Sequence, residues 1–174
     1  KKENIKFIFD YNLYAFNSVS KRMLRELGAD RLTLPLELNI NELKNIDPEG
    51  METLVYGRIP LMISAQCLKK TSTGCDKRSE TLMLKDRYNA DMPVKNRCTF
   101  CYNTIYNSQT FSTLSLSRQV MALKPGVYRI WFSTEDEKSV KRVINDYVRA
   151  YVYKENIAET HSGHTKGHLK RGVE

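Results

Sequence analysis

All four cysteines of the chain, Cys67, Cys75, Cys98 and Cys101, fall inside one polar stretch, residues 65–110. Two residues separate the last pair, so both sulfurs can reach one ion from a tight turn. Seven residues separate Cys67 from Cys75, and 22 lie between Cys75 and Cys98. Those 22 contain TLMLKDR and DMPVKNR on either side of Tyr88-Asn89-Ala90, the pattern of a β-hairpin with a polar turn. A hairpin returns the chain to its starting point and carries the second pair back beside the first. Two pairs around a hairpin suit one four-thiolate centre, and spacing leaves zinc and iron–sulfur both open. Competing arrangements are two disulfides, four unrelated thiols, and a redox site at Cys98-Thr99-Phe100-Cys101. The first fits an exported protein, and the last requires a helix start in a suitable βαβ setting.

Around this stretch, strands alternate with helices. Lys6–Phe16 reads as a strand, followed by a helix that Ser18 caps and that presents Val19, Met23, Leu24 and Leu27, with Gly28 as its stop. Arg31–Leu38 reads as the second strand, and a short helix with Leu43 and Ile46 on one face follows. Glu52–Ser64 is the third strand, alone or with an extension, and residues 114–123 are helical up to Pro125-Gly126. Val127–Ser133 is the fourth strand. Thr134 and Glu137 form a capping box for a helix with Val140, Val143, Ile144, Tyr147, Val148 and Tyr151 on one stripe.

Four strands, each leading to a helix, predict an α/β fold with a largely parallel sheet, half of an eight-stranded (β/α) barrel. The expected organisation is a barrel-like fragment over residues 1–153, with the cysteine-bearing hairpin inserted at 65–110, and a polar tail over 154–174. A half barrel has open edges, so it would pair with a second copy or stand as an open layer.

The 28 lysines and arginines exceed the 20 acidic residues, giving a formal charge of +8. Such an excess draws phosphate-bearing partners without identifying them. No apolar run is long enough to span a bilayer, and KKENIKFIFDYN has no cleavable-signal pattern. A cytoplasmic protein without a membrane partner is the expectation.

The segments VYGRIPLMISAQCLKKTSTGC (Val55–Cys75) and LKDRYNADMPVKNRCTFCYNTIYNS (Leu84–Ser108) resemble the collagenase-like peptidase family U32. So do FDYNLYAFN (Phe9–Asn17), LPLELN (Leu34–Asn39), FSTEDEK (Phe132–Lys138) and the ending GHTKGHLKRGVE. The likeness is to the last portion of long members that carry an inserted collagenase domain. It implies a barrel-like fold, a role supporting proteolysis in a longer parent, and the parent's upstream domains as partners. Similar members hydroxylate RNA bases or ubiquinone precursors with a 4Fe–4S centre on four cysteines. The long form is most similar to those acting on ribosomal-RNA cytidine, so the substrate implied is a protein, a peptide or RNA. Tyr56-Gly57-Arg58 stands where the family has His-Gly-Ala, and only Cys67 matches that motif's later cysteine. A degenerate second copy of the family barrel is implied, with no proteolysis by this chain alone.

In barrels, function sits at the C-terminal ends of the strands. Asp10, Asn12 and Asn17 lie in or beyond the first predicted strand, and Glu37 and Asn39 close the second. Asp10 with Glu37 is a candidate acid/base pair, against the alternative of helix capping. Arg58 is a candidate anion ligand or ion-pair partner of Glu37. His161, His164 and His168 are candidate metal ligands, or solvated side chains of a flexible tail.

Overall fold

A computed structural model describes residues 5–159 and 163–172. Strand β1 (Ile8–Phe9) pairs in parallel with β2 (Arg31–Leu32). A parallel bridge from Thr33 to Glu52 continues this layer into β3 (Glu52–Gly57), where the Leu34 N–H donates to Glu52 O at 2.7 Å. The β3 strand pairs along its length with β9 (Val127–Trp131), also in parallel. The four strands read from the sequence therefore run parallel, in the order β1-β2-β3-β9. The helices between them are α1 (Ser18–Glu26) and α2 (Ile40–Asn45), and α5 (Glu137–Tyr151) follows β9.

The layer is nevertheless mixed, and no closed barrel forms among the described residues. The far end of β3 pairs antiparallel with β8 (Thr110–Ser112), and β8 pairs in parallel with β10 (His164–Thr165). Between β8 and β9 lies α4 (Ser117–Ala122).

The stretch expected as one strand over Glu52–Ser64 divides between two sheets. After Gly57 the chain leaves the parallel layer and enters β4 (Pro60–Ser64), which pairs antiparallel with β7 (Tyr102–Tyr106). Gly57 itself is needed by packing, because a Cβ there would sit 2.8 Å from the Trp131 carbonyl oxygen. The inserted sheet has the order β4-β7-β6-β5, with β5 (Thr81–Lys85) and β6 (Asp91–Arg97) forming the expected hairpin. Asp86 closes its turn by accepting from the Tyr88 and Ala90 N–H groups. A five-residue helix, α3 (Leu68–Ser72), bridges β4 and β5.

Several local expectations shift for identifiable reasons. The first strand is short because Asp10 accepts from the Tyr11 N–H and starts a 3-10 turn, Tyr11–Leu13. Asn17, not Ser18, caps α1, exchanging hydrogen bonds with Ser20. That helix buries Leu24 and Lys21, while Val19, Met23 and Leu27 are exposed. Lys21 turns inward because its ammonium donates to the Ile46 and Asp47 carbonyls and pairs with the Asp47 carboxylate, capping the end of α2. Asp136, not Thr134, caps α5 by accepting from the Ser139 N–H at 2.9 Å. The segment expected as a loose tail is docked: Ile157 and Leu169 are buried and β10 extends a sheet. His161 lies outside the described residues. No helix among the described residues is long and apolar enough to cross a membrane.

The core lies between the parallel layer and α2, α4 and α5, built on Leu34, Leu43, Leu54, Val55, Val120 and Val143. Tyr147 of α5 adds a polar seam. Its buried hydroxyl shares a hydrogen bond with Ser112 Oγ at 2.7 Å, donates to Val55 O at 3.0 Å and receives the Thr113 N–H at 3.3 Å. Burial holds that phenol protonated far above its ordinary range, with hydrogen bonds from Ser112 and Thr113 only partly offsetting it. Tyr147→Phe should therefore cost about 1–3 kcal/mol in urea unfolding, because three polar groups lose a buried partner. A loss within a few tenths of a kcal/mol of zero would show that they re-pair.

Candidate substrate cleft and cysteine end

A cleft of about 810 Å³ opens where the C-terminal ends of the four parallel strands face the inserted sheet. Tyr11 follows β1, Glu37 lies beyond β2, Ile59 follows β3 and Trp131 ends β9. This is where α/β sheets place ligands, since loops diverge there while the strands stay fixed. Met62 of β4, with Arg97 and Tyr106 of the inserted sheet, forms the opposite wall. His168, from the docked C-terminal segment, closes one side.

Among the sequence candidates that line the cleft, Asn12, Glu37 and His168, Glu37 is the one with a buried side-chain oxygen left unpaired. That oxygen, Oε2, has no hydrogen-bond partner among the described residues. A buried acceptor in that state is costly unless something else supplies a donor. Tyr11 stands near it. Burial, then the Asp10 charge, pushes that phenol up to about 12, so it stays neutral.

Of the expected Asp10–Glu37 acid/base pair, Asp10 is engaged by the scaffold. Asp10 is held by Arg129 Nη2 at 3.0 Å and by the Tyr11 N–H. Arg58 forms no ion pair with Glu37. Its Nη1 donates to Asn107 O at 2.8 Å and Ser108 O at 2.6 Å, fastening the loop after β7. Asn17 and Asn39 are helix caps. Asn12 lines the cleft. His168 Nδ1 lies 2.9 Å from Gly172 O, while His164 sits in β10, 3.6 Å from Glu159. Both described histidines thus make contacts within the C-terminal segment.

Sequence reasoning missed the aromatic lining, in which Tyr11, Tyr14, Tyr106, Phe111 and Trp131 come from four separate segments. It also missed the basic turn beside the cleft, where Lys166, Lys170 and Arg171 surround His168. That turn is legible as TKGHLKRG, but its docking against β8 is not.

The cysteines lie at one end of the inserted sheet. Cys67 follows β4 and caps α3, Cys75 precedes β5, and Cys98 and Cys101 bracket the 3-10 turn between β6 and β7. Antiparallel pairing dictates this: the end of β4 faces the start of β7 at Ser64–Asn103, and the end of β6 faces it at Arg97–Tyr102. All four are free thiols. The Lys70 N–H, donating to Cys67 Sγ, draws that thiol below its usual value of 9.0. Burial pushes Cys98 up, and the neighbouring Cys75 and Cys67 sulfurs push it the same way. The loop carrying Cys75 is stapled by Lys69, whose buried ammonium pairs with Asp76 and Glu80.

Chemically, four free thiols on two adjoining loops fit a four-thiolate centre. Among the described residues, however, no three metal-ligating side chains are drawn together into a ligand group. The sulfurs are gathered without being closed into a shell.

The family model for peptidase family U32 matches residues 2–143. No curated protein and no solved structure matches the chain.

Proposed function

Because the chain belongs to peptidase family U32, we propose that it is the substrate-receiving, metal-bearing part of an enzyme that acts on RNA, with one unstacked base entering the cleft. The observation that carries this reading is the composition of the cleft: aromatic walls, one buried carboxylate oxygen lacking a donor, and basic groups at the edge. Every base has a π-face to stack on an aromatic ring, and lysine and arginine at the rim suit the phosphates that follow it. A carboxylate accepts from the exocyclic amine of cytosine, and uracil offers no such donor. The formal charge of +8 favours the same partner.

The Cys67, Cys75, Cys98 and Cys101 thiolates would hold the centre, a 4Fe–4S cluster as the family likeness implies or a zinc ion as the spacing allows. A cluster would supply one-electron chemistry and zinc a structural tie. Anaerobic iron, zinc and acid-labile sulfide analysis separates the two. The half-barrel reading belongs here as well: the outer edge of β1, with exposed Ile5 and Ile8, would be covered by further domains of a longer chain or by a second copy.

Binding of single-stranded oligoribonucleotides tests the reading. Wild-type protein is expected to bind cytosine-rich strands more tightly than uracil-rich ones, and to weaken with salt. Glu37→Gln should lose most of that preference, about 1–3 kcal/mol for a paired base edge, while keeping its salt dependence. Equal affinity of wild type for both strands would sink the base-reading role.

A second reading, support of proteolysis, has one observation in its favour: the same Glu37 oxygen could receive a basic peptide side chain. Cleavage of casein or gelatin by the pure chain, abolished by Glu37→Gln, would establish it over the first.

A further inference from the structure

The cleft-facing side of the inserted sheet does not end at the cleft. Side chains alternate along a strand, and residues paired across a ladder share a face. Tyr102, Thr104 and Tyr106 of β7 therefore point one way. The register adds Ile63 of β4, opposite Thr104, and Arg97 of β6, opposite Tyr102. Ile63, Arg97, Thr104 and Tyr106 all line the cleft. Tyr102 is the next step outward on the same face, about 13 Å along the strand from Tyr106.

Past Tyr102, in the turn between β6 and β7, stands Phe100, 74 % exposed. Its ring stacks with that of Tyr102, the centroids 6.3 Å and the planes 29° apart. The turn thus lengthens the aromatic surface beyond the strand end. Arg97, the ladder partner of Tyr102, is exposed, and its guanidinium has no hydrogen-bond or ion-pair partner among the described residues. A single exposed ring needs no explanation. Two stacked rings beside an unpaired guanidinium, on a face that leads out of a cleft, form a platform for flat, anionic ligands.

The charge around this face favours the same occupant. Residues 60–106 hold eight lysines and arginines against four acidic residues. Each acid is engaged: Asp76 and Glu80 by Lys69, Asp91 by Lys85, and Asp86 by the N–H groups of its own turn. Asp91 opens β6 and Arg97 closes it, so the Asp91–Lys85 pair lies at the far end of that strand from the rings.

We infer that this face is a platform for single-stranded RNA, on which Tyr102 and Phe100 stack the nucleotides next to the one in the cleft and Arg97 holds a phosphate between them. The inference rests on the reading of the cleft as the entrance for an unstacked base. It gives that reading a direction: the strand leaves over the inserted sheet, toward the turn between β6 and β7. A four-stranded antiparallel sheet with aromatic side chains on its open face stacks two or three bases in this way. Arginine beside the rings supplies charge for the phosphates and a planar group of its own.

Fluorescence anisotropy with cytosine-rich RNA tests the platform, a dinucleotide competing against a labelled nonanucleotide. The dinucleotide occupies the cleft but reaches little of the platform, so the gain of the longer strand over the shorter is the readout. Tyr102→Leu is expected to reduce that gain about 10–100-fold, since a stacked base loses its ring. Tyr102→Phe keeps the ring and should keep the gain. A misfolded fraction weakens both oligonucleotides alike and leaves the ratio in place. Arg97→Gln should make the fall of nonanucleotide affinity with salt shallower by about 0.7 in log–log slope, the share of one phosphate. An unchanged slope would remove Arg97 from the phosphate contact. An undiminished gain in Tyr102→Leu would overturn the inference and leave the cleft reading in place. Wild-type protein that binds neither oligonucleotide would instead overturn the cleft reading, and this inference with it.

Discussion

Arg129→Met is expected to destabilise the protein by on the order of 3 kcal/mol, read from the urea midpoint at constant slope. Glu52 opens β3 in the middle of the core layer and is 4 % exposed. Its carboxylate is held by Arg129 Nη1 at 2.8 Å, by Thr33 Oγ1 at 3.3 Å and, more distantly, by Arg31 at 3.9 Å. Arg129 belongs to the neighbouring strand β9, reaches Asp10 with its other nitrogen, and lies over the Trp131 ring at 5.2 Å. Methionine fills similar space but leaves Glu52 buried with its main counter-charge gone. An uncompensated buried charge costs more than the pair ever contributed. Adding Glu52→Gln to Arg129→Met should therefore recover part of the loss, since a buried amide needs only hydrogen bonds. A single-variant cost below about 1 kcal/mol, with no recovery in the double variant, would mean that water or Arg31 already solvates the carboxylate.

On the proposed four-cysteine centre, Cys98→Ser is expected to abolish metal-dependent stabilisation altogether. With zinc in excess, at about 100 times its dissociation constant, binding to the folded state alone contributes about 2.7 kcal/mol. Wild-type protein should therefore melt at a lower temperature once a strong chelator is added. Cys98→Ser should melt at the same temperature with or without chelator, near that of the stripped wild type. The reason is local: Cys98 carries the turn between β6 and β7 and lies against both the Arg78 carbonyl and Asn96. A serine can keep those hydrogen bonds but makes a poor zinc ligand. An unchanged metal content per chain in this variant would remove Cys98 from the ligand set.

The candidate site was legible in pieces. Glu37 was placed at the close of the second strand by position alone, and the structure puts it in the cleft. Asp10, selected by the same rule, and Arg58, taken from within the third strand as a candidate anion ligand, are used by the scaffold, because Arg129 and the carbonyls of Asn107 and Ser108 claim them first. Position relative to a strand end indicates which residues can reach a site, but not which neighbours will neutralise them. Arg97 and Tyr102 carried no sequence signal. Both stand beside cysteines in a polar stretch, and only strand pairing shows that they share the face that leads out of the cleft.

The sequence by itself determined the family, the order of the four strand-helix units, the hairpin at Thr81–Arg97 and the collection of the cysteines in one insertion. These follow from local periodicity, turn chemistry and specific motifs, all of which act over short stretches of chain. Tertiary structure alone decided that Glu52–Ser64 splits between two sheets, that α1 turns Lys21 inward and leaves Val19 and Met23 exposed, and that the C-terminal segment docks against β8. Each of these depends on a partner distant in the chain: the Trp131 carbonyl beside Gly57, the Asp47 carboxylate reaching Lys21, the β8 edge that receives β10. Local pattern cannot encode such contacts, because their free energy exists only once both partners have been brought together.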